Sequence, residues 1–150
     1  MHILLALHHV HSRKVLHRDI KSQNVFIAAN GSIKIGDLGV AKLLGTRMQF
    51  ATTVVGTPYY LSPELCEGKP YNEKSDIWAI GVLLYEMCTV GKMPFEASNQ
   101  GALIMRIIRG KFDALPQDLD PEFGELCRLM LERLPSSRPA ISDIFRRRRV

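Results

Sequence analysis

The chain has 150 residues, of which 46% are hydrophobic and 23% charged, and its formal net charge is +5. A chain of this size and composition has enough apolar surface to form a core, which excludes a disordered protein. Its apolar runs are shorter than the roughly 18 residues of a membrane-spanning helix. The apolar start, Met1–Leu7, lacks the basic segment and the cleavage site of a secretion signal, so we expect neither membrane insertion nor secretion.

Most of the excess positive charge lies in one short segment, Arg146–Arg149. Without these four arginines the net charge of +5 falls to +1. Aromatic residues do not alternate with the arginines, as they do in many nucleic-acid-binding segments. We therefore interpret the segment as a solvated tail, in preference to a targeting or nucleic-acid-binding signal, and we do not expect a nucleic-acid partner.

The three cysteines, Cys66, Cys88 and Cys127, are far apart in the sequence. No CxxC pair is present to form a zinc or redox site. We expect free thiols in a reducing compartment, and we assign the protein to the cytoplasm.

The first predicted element is a helix over residues 3–10, where apolar residues recur at helical spacing. The chain starts inside this pattern without a capping residue, so we expect the helix to be truncated. Two short apolar segments, Val25–Ile27 and Ile33–Ile35, flank Asn30 and Gly31. This arrangement predicts a β-hairpin with a two-residue type I′ turn.

An irregular segment, Gly36–Lys74, separates the hairpin from a helical second half. Long aperiodic segments within compact domains are commonly functional. Ser75 is a suitable N-cap for a helix over Asp76–Val90. Because this segment is apolar almost all round, it predicts a helix buried at the centre of the domain.

Three more helices are predicted toward the end of the sequence. The first includes residues 103–108 and ends at Gly110. Asp120 caps the second, which we expect Pro135 to end. The third runs from about Ala140 into the arginines.

Side chains suited to phosphoryl transfer occur around the hairpin. Asp19 and Asn24 lie five residues apart in the loop before it, and Asp37 follows its second strand. Folding the hairpin back brings these three side chains to one edge, with the oxygen ligands that Mg²⁺ prefers. Lys21 lies two residues after Asp19, where its ammonium group can reach a phosphate. Such a set predicts catalysis by positioning and charge neutralisation.

These residues also resemble the motifs of a known family. The HRD sequence at residues 17–19, with Asn24, resembles the catalytic loop of eukaryotic protein kinases, and the DLG sequence at residues 37–39 resembles their magnesium-binding DFG motif. Leu38 replaces the usual phenylalanine, which conserves an apolar side chain beside Asp37. Lys21 matches the lysine that serine/threonine kinases carry in this loop.

The resemblance extends along the whole chain. The GTPYY sequence at residues 56–60 is similar to the substrate-side loop of serine/threonine kinases, and the SPE sequence at residues 62–64 resembles their APE motif. The DIWAIG sequence at residues 76–81 resembles the start of their large buried helix, and Arg138 resembles the arginine that pairs with the APE glutamate. Within the kinases the sequence is most similar to the NIMA-related kinases.

The resemblance implies a mainly α fold, the protein-kinase C-lobe, with a short β-hairpin at the catalytic edge. The matched motifs all belong to this lobe, so we expect residues 1–150 to form a partial kinase domain, from the helix before the catalytic loop to the last helix. The sequence contains no G-x-G loop and no V-A-I-K-like strand. The N-lobe is therefore expected to be absent from this chain.

The resemblance also implies roles for individual residues. Asp19 would orient the substrate hydroxyl and accept its proton, and Lys21 would stabilise the transferred phosphoryl group of ATP. Asn24 and Asp37 would hold Mg²⁺ against the phosphates. Thr57 would hydrogen-bond toward Asp19 and Lys21 and help to select serine or threonine acceptors.

Regulatory and structural residues follow from the same resemblance. Arg18 implies a cationic pocket for a phosphate on the activation loop, for which Thr53 is favoured over Thr52 and Thr46. We expect His17 to pack in the core. We favour Asp76 as an anchor of the catalytic-loop backbone over a simple first-turn acid. Glu64 and Arg138 are expected to form an internal ion pair.

The sequence therefore predicts a serine/threonine protein kinase that acts with ATP and Mg²⁺ on protein substrates. The chain is expected to be an N-terminally truncated fragment that is inactive without its missing N-lobe. The alternative is a catalytically dead lobe that serves as a protein-binding module. By family analogy, the cytoskeleton, the cilium or the nucleus are further possible locations.

Overall fold

A computed structural model of the chain describes residues 1–36, 42–43 and 58–147. The described helices are α1 (His2–Ser12), α2 (Pro63–Cys66), α3 (Glu73–Cys88), α4 (Gln100–Arg109), α5 (Pro121–Met130) and α6 (Ile141–Arg147). The described strands are β1 (Val15–Leu16), β2 (Val25–Ile27), β3 (Ile33–Ile35) and β4 (Lys42–Leu43), and short 3₁₀ turns cover Ser22–Asn24 and Pro135–Ser137. The predicted mainly α fold with a short hairpin is confirmed.

Helix α3 lies at the centre of the fold, as its largely apolar sequence predicts. It contributes to two hydrophobic clusters. One cluster joins α3 to α1 and α6, and includes Leu4, Leu7, Ile77, Ile80, Leu83, Ile141 and Ile144. The other joins α3 to α4 and α5, and includes Trp78, Val82, Phe95, Leu103, Ile107, Cys127 and Leu131.

A close approach between α3 and α5 requires glycine at position 81. A Cβ atom built on Gly81 would lie 2.8 Å from Cβ of Met130 and 3.0 Å from Cδ2 of Leu131. Side chains larger than hydrogen would therefore force α5 away from α3.

The start of α3 differs from the prediction. The N-cap is Asn72, whose Oδ1 accepts a hydrogen bond from the Lys74 backbone N–H at 2.8 Å. Ser75 instead occupies the third helical position. Its Oγ accepts a hydrogen bond from the Asn72 backbone N–H at 3.3 Å, which completes a capping box. The predicted end at Val90 is also wrong, since Val90 has φ +55° and lies beyond the last helical residue, Cys88.

The predicted hairpin forms, but its turn is not type I′. Strands β2 and β3 are antiparallel, and they pair Val25 with Ile35 and Ile27 with Ile33. A type I′ turn needs positive φ at both central residues, whereas only Gly31, at +77°, has it in this loop. The observed register places apolar residues opposite each other, while a two-residue loop would place Ile27 opposite Lys34.

The predicted caps of α4 and α5 are present, but α5 ends earlier than predicted. Helix α4 ends at Gly110, whose φ of +67° is left-handed. The Asp120 side chain caps α5 by accepting a hydrogen bond from the Glu122 backbone N–H at 2.9 Å. Helix α5 ends at Met130, well before Pro135, which instead opens a 3₁₀ turn. None of the described helices is long and apolar enough to cross a bilayer.

The three cysteines are free thiols, as predicted. Cys127 is fully buried, whereas Cys66 and Cys88 are half-buried. Burial raises the pKa of Cys127 to about 12. Burial, followed by the negative charges of Glu64 and Glu67, raises the pKa of Cys66 to about 11.

Candidate active site

The loop between β1 and β2 brings three of the predicted site residues together. The Lys21 ammonium group donates to both carboxylate oxygens of Asp19, at 3.0 and 2.8 Å. The Asn24 amide nitrogen donates to the Asp19 backbone carbonyl at 2.7 Å and to its Oδ2 at 2.8 Å. Asp19 and Lys21 remain partly exposed. The loop therefore presents a carboxylate and a cation together at the surface.

Asn24 is the predicted metal ligand that the structure describes. It is 93% buried at the end of the 3₁₀ turn, and both of its hydrogen bonds to Asp19 use the amide nitrogen. The carbonyl oxygen Oδ1 is thereby left to serve as a cation ligand, which fits a magnesium site. Among the described residues, no group of three His, Cys, Asp or Glu side chains could hold a metal ion.

Several predicted functional residues lie outside the described part of the chain. They are Asp37 and Leu38 of the DLG sequence, Thr57 of the GTPYY sequence, and the candidate phosphorylation sites Thr46, Thr52 and Thr53.

The backbone of the loop that carries Asp19 is anchored by Asp76, as predicted. The Asp76 side chain is fully buried at the start of α3. Its Oδ2 accepts a hydrogen bond from the His17 backbone N–H and its Oδ1 from the Arg18 backbone N–H, both at 3.0 Å. Arg18 has φ +71°, a costly conformation for a residue other than glycine. Such backbone strain persists only where surrounding contacts hold it.

Two further donors to Asp76 were not identified from the sequence. The His11 Nε2 lies 2.7 Å from Oδ2, and the Tyr71 hydroxyl donates to Oδ1. Burial, followed by the negative charge of Asp76, raises the pKa of Tyr71 well above its ordinary value, and the Arg18 guanidinium opposes this rise. The helical spacing of the sequence could have indicated His11. It follows Leu7 by four residues, which places a polar side chain on the buried face of α1, where it needs a partner.

His17 packs in the core, as predicted, with only 2% of its surface exposed. Its Nδ1 accepts a hydrogen bond from the Asp19 backbone N–H at 3.3 Å. This contact assigns the imidazole proton to Nε2, for which none of the described residues provides a partner.

A second network holds the opposite end of the loop. The Tyr60 hydroxyl and the Ser22 hydroxyl donate to the two carboxylate oxygens of Glu86, and the Ser22 backbone N–H donates to the Tyr60 hydroxyl at 3.1 Å. Burial and the hydrogen bond to Glu86 raise the pKa of Tyr60. This network links the loop to α3 and to the residues that follow Thr57. The sequence analysis did not identify it.

The predicted ion pair between Glu64 and Arg138 is present and almost fully buried. The guanidinium binds both carboxylate oxygens, with Nη1–Oε1 at 2.8 Å and Nη2–Oε2 at 2.7 Å. Burial alone would raise the pKa of Glu64, but the hydrogen bonds from Arg138 and Ser75 outweigh it and lower the pKa. The pair ties α2 to the segment before α6.

One buried hydroxyl near this ion pair predicts a stabilising substitution. Ser62 is fully buried, and its Oγ has no partner among the described residues. We expect Ser62→Ala to raise the free energy of unfolding by up to about 1 kcal/mol, because an unpaired buried hydroxyl is costly. Denaturant titration of the purified chain measures this change.

Ser75→Ala is the matched control for that measurement. Ser75 is also buried, but its hydroxyl donates to Oε1 of Glu64 at 2.7 Å. Its replacement should lower the free energy of unfolding by about 1–3 kcal/mol. A loss of stability in Ser62→Ala as large as that in Ser75→Ala would contradict the prediction.

Sequence comparisons show which known proteins the chain is similar to. The family model described as protein kinase domain matches residues 1–148. Serine/threonine-protein kinase Nek1 of Mus musculus is 49% identical over 143 residues, which are 95% of this chain and 12% of the relative. Serine/threonine-protein kinase Nek5 of Homo sapiens is 46% identical, over 97% of this chain and 20% of its own length. For Nek4 of Mus musculus the identity is 47%, over 96% and 18%.

Proposed function

Because the chain belongs to the protein kinase domain family, we propose that it carries the catalytic loop of a serine/threonine kinase that phosphorylates proteins. The observation that supports this proposal most directly is the Asp19 carboxylate, held by Lys21 and Asn24 at the surface of the loop. Its relatives Nek1, Nek4 and Nek5 are named as serine/threonine kinases, and the chain spans a fifth or less of their lengths. We also propose that residues 1–150 form part of a kinase domain.

In this proposal each residue of the loop has a separate role in phosphoryl transfer. Asp19 orients the acceptor hydroxyl and accepts its proton as the oxygen attacks the terminal phosphorus of ATP, while the bond to the bridging oxygen breaks and ADP leaves. Lys21 neutralises charge on the transferred phosphoryl group. Its contact with Asp19 keeps the ammonium group beside the carboxylate that binds the acceptor hydroxyl. Asn24, through Oδ1, and Asp37 would hold Mg²⁺, which neutralises the charge of the phosphates.

The proposal extends to two residues outside the described part of the chain. Thr57 is proposed to hydrogen-bond toward Asp19 and Lys21 and to favour serine or threonine acceptors. Thr53 is proposed as the activating phosphorylation site. The buried Nε of Arg18 has no partner among the described residues, which supports Arg18 as part of the pocket for that phosphate.

A polypeptide limited to these 150 residues is proposed to bind ATP weakly and to turn over little. It contains no glycine-rich loop to cover the phosphates. The side chains of Leu5, Phe26 and Ile27 are each more than half exposed. We propose that a small lobe covers these side chains in the active enzyme. We also propose a cytoplasmic location, which the free thiols support.

The proposal is tested with Asp19→Asn in the protein at its full natural length. The variant should phosphorylate a generic serine/threonine peptide about 10²–10⁴-fold more slowly, because it lacks the base. Asp118→Asn, which alters an exposed aspartate, should retain the wild-type rate. An unchanged rate in Asp19→Asn, or no ATP-dependent transfer by the natural-length protein, would contradict the proposal and favour a protein-binding module.

A further inference from the structure

We propose that Asn30 is a site of covalent self-modification, at which the side-chain amide is lost and aspartate or isoaspartate is formed, and that Ser32 promotes this reaction. Asn30 and Gly31 lie at the tip of the hairpin between β2 and β3, and both residues are exposed. None of the three residues has a role in the proposed phosphoryl transfer. The reaction is therefore independent of the proposed kinase function.

Besides the protein, the reaction needs only water. The Gly31 backbone nitrogen attacks Cγ of Asn30 and gives up its proton, which forms a new C–N bond in a tetrahedral intermediate. The bond from Cγ to the side-chain nitrogen then breaks, ammonia leaves with that proton, and a five-membered succinimide ring remains. Water adds to one of the two ring carbonyls and opens the ring. One opening gives aspartate, and the other gives isoaspartate, in which the main chain runs through the side-chain carbon.

Glycine at position 31 leaves the attacking nitrogen accessible. Among the described residues, apart from its two chain neighbours, no atom lies within 4 Å of a Cβ built on Gly31. Its φ of +77° is a conformation that glycine adopts without strain. Neither a side chain at position 31 nor a packed neighbour therefore obstructs the approach of Cγ to the Gly31 nitrogen.

A hydrogen bond within the loop keeps Cγ near that nitrogen. The Asn30 Oδ1 accepts from the Ser32 backbone N–H at 3.1 Å, as in an Asx-turn. This contact closes a ring of atoms that includes both Cγ of Asn30 and the Gly31 nitrogen. Since it restricts rotation of the Asn30 side chain, it holds the two reacting atoms in proximity.

Ser32 also stabilises the charge that develops during the attack. The Asn30 Oδ1 becomes an oxyanion in the tetrahedral intermediate. It already accepts from the Ser32 backbone N–H at 3.1 Å and from the Ser32 hydroxyl at 2.8 Å. Donors placed at a developing oxyanion stabilise the intermediate more than the starting carbonyl. Ser32 therefore promotes the reaction through both of its donors.

One hydrogen bond opposes the attack. The Gly31 N–H donates to the Ala28 carbonyl at 2.8 Å, and this bond must open before the nitrogen can turn toward Cγ. Below it, the Ala28 N–H donates to the Ser32 carbonyl at 2.9 Å and closes the loop. Exposed loop tips open at a much smaller free energy than the whole domain. We therefore expect the reaction to proceed in the folded protein.

Peptide mapping by mass spectrometry of the folded natural-length protein, incubated at neutral pH, tests the proposal. The peptide that contains Asn30 should gain the mass difference between an acid and an amide, and fragmentation should assign this gain to residue 30. An isoaspartyl methyltransferase should label the same peptide. Asn30→Gln should abolish the gain, because the longer side chain would have to form a six-membered ring. No gain at residue 30 in the wild-type protein would overturn the proposal.

Asn99 is the control within the same sample. It is also exposed, and its Oδ1 accepts from the Ala102 backbone N–H at 2.9 Å as the N-cap of α4. The residue after it is Gln100, whose side chain and helical backbone hinder the attack. Conversion at Asn30 should be at least about tenfold faster than at Asn99, because only Asn30 has its reacting atoms in proximity. Equal rates at the two residues would contradict the proposal.

Two variants of Ser32 test its promoting role. Ser32→Ala removes the hydroxyl donor and keeps the backbone N–H, so conversion at Asn30 should slow about 2–10-fold, the loss expected for one hydrogen bond. Ser32→Thr keeps the hydroxyl and should stay within about twofold of the wild-type rate. A rate in Ser32→Ala equal to or faster than that of the wild type would overturn promotion by Ser32.

Discussion

Arg138→Met is expected to lower the free energy of unfolding by about 3–5 kcal/mol, because it leaves the Glu64 carboxylate buried without its partner. Arg138 and Glu64 are at most 3% exposed, so water cannot replace the lost contacts. Methionine conserves much of the volume of the side chain. Denaturant unfolding measures the loss.

The size of this effect follows from how completely the guanidinium is used. An arginine carries five N–H donors, and each of those in Arg138 has an acceptor. Two bind Glu64, and three bind the backbone carbonyls of Glu132, Lys74 and Arg133. The guanidinium also lies over the Trp78 ring, 4.9 Å from its centroid. The side chain thus connects α2, α3 and the segment after α5.

Arg133→Met is the matched control for this prediction. Arg133 lies in the same segment and pairs with Glu67 at 3.3 Å, but its side chain is 57% exposed. Exposed pairs contribute about 0–1 kcal/mol, so the control should remain near wild-type stability. Equal losses in the two variants would show that burial of the Glu64–Arg138 pair does not determine the effect.

Acid provides a second measurement of the same ion pair. Since the pKa of Glu64 is lowered in the folded protein, its contribution to stability is present above the ordinary glutamate pKa and is lost as pH falls through the lowered value. In Arg138→Met the burial remains, and burial raises the pKa of a carboxyl group. The difference in stability between wild type and variant should therefore shrink as pH falls below neutrality. A constant difference across this range would contradict the assignment.

Asp76→Asn is expected to lower the free energy of unfolding by about 2–6 kcal/mol, because the new amide group places its nitrogen against two donors. The carboxylate accepts from four groups, two on each oxygen. Asparagine conserves the shape but has a single acceptor oxygen. Either His17 and His11, or Arg18 and Tyr71, would lose their acceptor. Thermal or denaturant unfolding measures the change.

Asp118→Asn serves as the control for charge, since Asp118 is exposed. We expect its stability to stay within about 0.5 kcal/mol of wild type. A small effect in Asp76→Asn, comparable to that of the control, would show that the four contacts contribute little to the fold.

Local spacing predicted the part of the site that lies within one loop. Asp19, Lys21 and Asn24 fall within six residues of each other, so a single turn of backbone is sufficient to join them. The Glu64–Arg138 pair spans 74 residues. Composition and periodicity carry no signal for a contact of that range, and only the family resemblance predicted it.

Two of the contacts that sequence analysis missed share this long range. His11 meets Asp76 across 65 residues, and Ser22 meets Glu86 across 64. A polar residue on a buried helix face shows that a partner exists without identifying it. The start of α3 was misassigned because Asn72 and Ser75 are both good caps, and the choice depends on which backbone N–H groups are left unpaired.

The raised thiol pKa values have a consequence for the chemistry that the protein can undergo in a cell or in the laboratory. The thiolate is the form of cysteine that reacts with peroxides, disulfides and alkylating reagents. With pKa values of about 11 for Cys66 and about 12 for Cys127, roughly one side chain in 10⁴ and one in 10⁵ is ionised at pH 7. Both cysteines should resist oxidation and maleimide labelling while the chain is folded. Their labelling in a pulse of reagent would therefore report unfolding of the two helices that contain them.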